Sequence, residues 1–79
     1  MVHPSTIEDS IRKAIDCAHV EVRGEDGTHF EAVVVSPAFA GLSRVRRHQL
    51  VYAALGDRMR EEVHALSMST LSPEEWAAR

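Results

Sequence analysis

Histidines are the residues of this chain best suited to chemistry at neutral pH. There are five among 79 residues: His3, His19, His29, His48 and His64. An imidazole can ligate a metal, move a proton or hold a carbonyl, because it titrates near neutrality, at about 6.5. His3 lies in a terminus without pattern. His19 is expected to be solvated, since it opens an alternating run on the side opposite Val20. His48 falls inside the apolar stripe of a helix, where a buried ring bonded to a backbone carbonyl is expected. His29 and His64 each open a strand. If those strands are parallel neighbours, their starts share one edge of the sheet, roughly 4.8 Å apart. Two imidazoles there could converge on one metal, with the other ligands coming from a partner or a cofactor, because structural metal sites take about four. The residues alone leave equal room for two unrelated surface histidines.

Other chemistry is sparse. Cys17 is the only cysteine, so an internal disulfide and a CxxC pair are excluded. A small, half-buried hydrophobe is its expected role. No nucleophile–histidine–acid order, paired acid/base carboxylates or glycine-rich phosphate loop stands out, and catalysis is not expected. Arg44, Arg46 and Arg47 gather with His48 at a helix start. Such a start can hold phosphates through its N–H groups and dipole, or serve as a docking surface for an acidic partner.

Composition narrows the classes. Lys plus Arg is 9 and Asp plus Glu is 12, a formal net charge of -3. That balance does not favour bulk binding to nucleic acid or to an anionic membrane. No apolar run is long enough to span a bilayer, and the first residues lack an apolar signal core. A reducing, cytoplasmic setting is expected. The length allows one domain over residues 1–79, with 1–4 as a loose terminus and a thin core.

The elements that must position these residues can be read in order. Ser5 and Glu8 have the spacing of a capping box, opening a helix from about Thr6 to about Ala18 with Ile7, Ile11, Ala14 and Ile15 on one face. His19–Arg23 alternates as strand one. Residues 24–28 form a short hairpin loop. His29–Val35 is strand two, ending in an apolar run suited to a central position. Ser36 and Pro37 start a short helical turn that Gly41 ends. Ser43 caps a long amphipathic helix from about Arg44 to about Glu62, with Val45, His48, Val51, Tyr52, Leu55 and Met59 on one stripe. Strand three runs from Val63 to about Thr70. Ser72 and Pro73 open a last short helix carrying Trp76, an expected apolar plug.

The order is α-β-β-α-α-β-α, an α+β fold. Strands one and two pair as an antiparallel hairpin, and the helical crossover lets strand three lie parallel to strand two. The expected result is a three-stranded mixed sheet covered by helices on one face.

Several stretches taken together resemble a known family. They are Val33-Val34-Val35-Ser36-Pro37-Ala38-Phe39-Ala40-Gly41-Leu42-Ser43, Arg47-His48-Gln49-Leu50-Val51-Tyr52-Ala53-Ala54-Leu55, Val63-His64-Ala65-Leu66 and Ser72-Pro73-Glu74-Glu75-Trp76. In this order they resemble the BolA family, which implies a fold similar to a class II KH domain. The resemblance also implies a monothiol glutaredoxin partner, with which a [2Fe–2S] cluster is shared together with glutathione. His64 matches the family's characteristic histidine at the start of the last strand. A second ligand, His or Cys, is implied in the hairpin region. Here the loop is short and holds neither, which leaves His29 as the nearest residue. Mixed sulfur and imidazole ligation is chemically sound. The family also implies a rival role, DNA-binding regulation through the basic helix start, although Gly41-Leu42-Ser43-Arg44 is not a GXXG clamp. A monomer or weak homodimer is expected for the chain alone.

Overall fold

Alternation at the start of the sheet buries one side of each strand. In a computed structural model describing residues 3–24, 26, 29–62 and 65–79, β1 (His19–Arg23) pairs antiparallel with β2 (His29–Val35). β2 in turn pairs parallel with β3 (Ala65–Leu71), giving the order β1-β2-β3. Val20 and Val22 on β1 and Phe30, Ala32 and Val34 on β2 are buried on the inner face. Register places Leu66 and Met68 of β3 on the same face, packed against that core. His29, Glu31, Ser67 and Ser69 occupy the opposite, exposed face. The topology is the expected three-stranded mixed sheet.

Ile7 and Ile11 of α1 (Pro4–Ala14) and Val51 and Leu55 of α2 (Arg44–Glu62) cover the inner face, together with Phe39 from the 3-10 turn Pro37–Phe39. α1 departs from the expected bounds at both ends. Pro4 supplies a preset φ in the first turn, so the helix starts earlier, capped by the extended His3 without a side-chain bond. The Ser5–Glu8 capping box does not form, because Ser5 is already inside the helix and Glu8 bonds to β1 instead. Ile15 is extended and buried, which ends α1 four residues short of Ala18.

α2 is not one straight helix. Gly56 adopts φ 76° and ψ 167°, a left-handed excursion that only glycine makes without strain, and it kinks the helix after Leu55. Val45 is 65% exposed, so the first turn of the expected apolar stripe does not reach the core. Met59 lies outside the described side chains.

The end of the sheet near Val35 is tightly tied. Ser36 is fully buried; its hydroxyl donates to the Asp16 carbonyl at 2.6 Å and accepts from the Ala38 N–H at 3.1 Å. Its own N–H donates to the Leu71 carbonyl at 3.0 Å. This fixes the turn that leads into α2, while the opposite end of the sheet carries His29.

Candidate functional site

His29 opens β2 on the outer face, and its side chain is 73% exposed. It is not free to rotate. One carboxylate oxygen of Asp26 accepts the His29 backbone N–H at 2.8 Å, and the other lies 2.7 Å from ring Nδ1. An ionised carboxylate only accepts, so the shared proton belongs to Nδ1 and the neutral ring carries its lone pair on Nε2. Metal-ligating histidines are commonly held in this way. Around the ring lies an open hollow of about 490 Å³ lined also by Arg23, Asp26, Glu31 and Ser67.

In the parallel ladder His29 is the register partner of Ala65, the first residue of β3. The residue before Ala65 in the chain is His64, which lies outside the described residues together with Val63. Among the described residues β3 runs from Ala65 to Leu71, one residue past the expected Thr70, and the expected start at Val63 falls outside them. Among the described residues no three of His, Cys, Asp and Glu gather closely enough to hold a metal by themselves. A cluster at His29 would need ligands from elsewhere.

The arginines divide. Arg44 and Arg46 are exposed at the start of α2, where Ser43 Oγ caps the Arg46 N–H at 3.2 Å as its type predicts. Arg47 is a tie-rod with a side chain only 12% exposed. It donates to the Leu42 carbonyl at 2.9 Å, the Thr70 carbonyl at 3.0 Å and the Glu75 carboxylate at 2.6 Å. It thus joins the loop before α2, the end of β3 and α3 (Pro73–Ala78). The Arg47 bond, reinforced by the Ser72 N–H, lowers the Glu75 pKa from 4.5 to about 2.

The other histidines differ from expectation. His48 is half-buried and makes no hydrogen bond among the described residues, so it holds no carbonyl. It faces a cleft beside β3 instead of the core. His19 is not simply solvated: it stacks on Trp76, with ring centroids 4.9 Å apart and planes 20° apart. Trp76 is not a plug, since α3 buries no residue; the Arg79 guanidinium also lies 3.4 Å from its ring centroid. Cys17 is half-buried as expected, and burial pushes its thiol pKa up, against a smaller lowering by Arg12.

Asp26 and Glu75 escaped sequence reasoning. A signal existed for Asp26: an aspartate three residues before a strand-opening histidine can bond back to the backbone of a tight turn. Glu75 carried the same kind of signal through Ser72-Pro73-Glu74-Glu75, and the capping box does form there.

A three-stranded mixed sheet with helices packed on one face defines an α+β domain. The family model described as "BolA-like protein" matches residues 3–75, and the chain belongs to this family. It is 36% identical over 81 residues to BolA-like protein 1 of Bos taurus, covering 91% of this chain and 60% of that protein. To acid stress protein IbaG of Escherichia coli it is 36% identical over 72 residues, covering 90% and 84%. To the DNA-binding transcriptional regulator BolA of Haemophilus influenzae it is 38% identical over 61 residues, covering 77% and 58%. The chain thus spans 60% or less of two of these relatives. Among solved structures it resembles a Bol-like protein of Babesia bovis, with TM-score 0.85, 33% identity and coverage of 99% and 93%. A BolA homologue of Coxiella burnetii gives TM-score 0.78, 40% identity and coverage of 98% and 99%. Yeast Fra2 gives TM-score 0.77, 31% identity and coverage of 96% and 85%.

Proposed function

We propose that this protein is a non-enzymatic, cytoplasmic partner of a monothiol glutaredoxin, with which it shares a glutathione-ligated [2Fe–2S] cluster in iron–sulfur trafficking or iron and redox regulation. The observation that carries the reading is the Asp26–His29 pair, which presents an oriented, exposed Nε2 at the strand start next to Ala65. The donor set fits. Imidazole is an accepted ligand of iron–sulfur clusters, and an open site held by too few residues suits a shared cargo. In this reading His64, the family's characteristic histidine, supplies one ligand and His29 the other. Family membership supports the reading, and so does the likeness to Fra2.

Co-expression with a monothiol glutaredoxin tests it. The wild-type pair should co-purify as a brown complex. His64→Ala should leave the apo fold intact and change or abolish the visible spectrum; His29→Ala should alter it as well. A His64→Ala complex with wild-type spectrum and cluster lifetime would overturn the ligand assignment.

A second reading has one observation in its favour. Arg44 and Arg46 are exposed on a first helical turn that has no acidic residue, and one relative is named a DNA-binding regulator. Binding to duplex DNA through this turn would weaken steeply with salt. A flat salt response would remove that reading.

A further inference from the structure

The two edges of the sheet are treated differently. On β1 two of the outward backbone groups are taken from α1: Glu8 accepts the Val22 N–H at 3.0 Å, and Arg12 reaches the Val20 carbonyl at a long 3.5 Å. Uncovered edges invite strand pairing, and charged side chains suppress it. β3 forms the other edge. The Leu71 carbonyl points towards the Ser36 N–H, and along a strand successive backbone groups alternate in direction, so those of Thr70 and Met68 turn outward. Arg47 takes the Thr70 carbonyl. Nothing among the described residues pairs with the N–H or C=O of Met68 or the N–H of Thr70 on that side.

Beside this edge lies a cleft of about 360 Å³ lined by Arg44, His48, Met68, Ser69, Thr70 and Leu71. Its charge is unbalanced. Arg47 is already met by Glu75, whereas Arg44 is exposed with no ion pair among the described residues. His48 is half-buried with both ring nitrogens unused by the described residues. The site lies towards the Leu71 end of β3, away from His29, which pairs with Ala65.

We propose that this edge docks an extended acidic segment of a partner protein. The segment adds as a fourth strand along Met68–Thr70 and sets a carboxylate between Arg44 and His48. A peptide strand supplies the main-chain donor and acceptor that Met68 lacks, and a carboxylate accepts from a guanidinium and from an imidazole N–H. Nucleic acid fits less well, because the aromatic rings are committed elsewhere: Phe30 and Phe39 are buried, Tyr52 packs against the core, and Trp76 is engaged by His19 and Arg79.

The experiment is an NMR titration of the ¹⁵N-labelled chain with a synthetic peptide of alternating valine and glutamate. Lysine-for-glutamate peptide and a single-stranded oligonucleotide run in parallel. The acidic peptide should shift Arg44, His48, Met68 and Thr70 and slow amide exchange at Met68 and Thr70. Arg44→Gln, a change at an exposed side chain, should weaken it roughly tenfold, as loss of one charge-assisted contact does. His48→Gln should weaken it less. No binding, unchanged exchange at Met68 and Thr70, or equal binding of both peptides overturns the proposal. Protection of the same amides by the oligonucleotide alone replaces it with a nucleic-acid groove.

Discussion

Asp26 grips His29 at two points, by its backbone N–H at 2.8 Å and by ring Nδ1 at 2.7 Å. The same carboxylate therefore shapes the turn that starts β2 and chooses the tautomer of the ring. A strand can place the α-carbon of a histidine; it cannot choose which ring nitrogen carries the proton. Asp26 does the second task from three residues away.

Asp26→Ala should release the ring. In long-range ¹H–¹⁵N spectra of the apo protein the Nδ1–H form of His29 should dominate in the wild type and give way to the Nε2–H form in the variant. In the shared-cluster complex the cost should be about 10–100-fold in affinity, as for other groups that orient a ligand. A variant with the wild-type tautomer would show that Asp26 shapes only the turn.

Arg47 joins three segments, so its removal should act on stability. Arg47→Ala leaves the Thr70 carbonyl and the Glu75 carboxylate without their partner, and a loss of about 1–3 kcal/mol is expected in chemical denaturation. Arg44→Ala and Arg46→Ala, at exposed side chains, should stay within about 0.5 kcal/mol. Equal effects of all three would mean the ties of Arg47 are not formed in solution.

Glu75 gives this junction an acid limit. Its pKa is lowered from 4.5 to about 2, so the folded state favours the carboxylate. The stabilisation is present in full above the unfolded value and is lost as pH falls from about 4.5 towards 2. Trp76 fluorescence, which reports on α3, should begin to change in that window, and Glu75→Gln should remove the dependence. A Trp76 signal with the same acid profile in the variant would assign the transition to another group.

Gly24 stands where no side chain fits. A Cβ there would meet Phe30, 2.6 Å from Cε1 and closer still to Cδ1. Phe30 is 2% exposed and has little room to yield. Gly24→Ala should cost about 1–3 kcal/mol by overpacking. Thermal melts can check this, and an unchanged midpoint would mean that the hairpin shifts freely.

Leu55 tests the helix face. It is 6% exposed in the core cluster with Val51 and Phe39. Leu55→Ala should cost about 2–5 kcal/mol, as buried leucine truncations do. A loss within error would mean that α2 packs differently before its kink.

Alternation at Val20 and Val22, the apolar run of β2 and the crossover length made the sheet legible, because each is a periodic consequence of one buried face. The ends of elements were harder. Ser5 and Glu8 had the spacing of a capping box, yet Pro4 starts the helix first and Glu8 finds the Val22 N–H fourteen positions away. Gly56 looks like any helical glycine until its φ is known. His48 matched the apolar stripe by angle, but where that stripe leaves the core depends on the tilt of α2, which no periodicity encodes. His29 could be nominated as a ligand by position; Asp26 carried only the signal of a tight turn, and its hold on the ring depends on a geometry that residue type does not encode.

The cover that Glu8 and Arg12 place over β1 also sets how far the chain can assemble with itself. A filament of sheets grows head to tail and needs two compatible edges on every subunit. With the Val22 N–H and the Val20 carbonyl held from α1, β1 is the interrupted edge and β3 the more open one, and β3 against β3 is a two-fold contact that closes on itself. Edge pairing through β3 can therefore join two copies and close, so a helix on one side of the sheet biases self-assembly towards a pair and away from a filament.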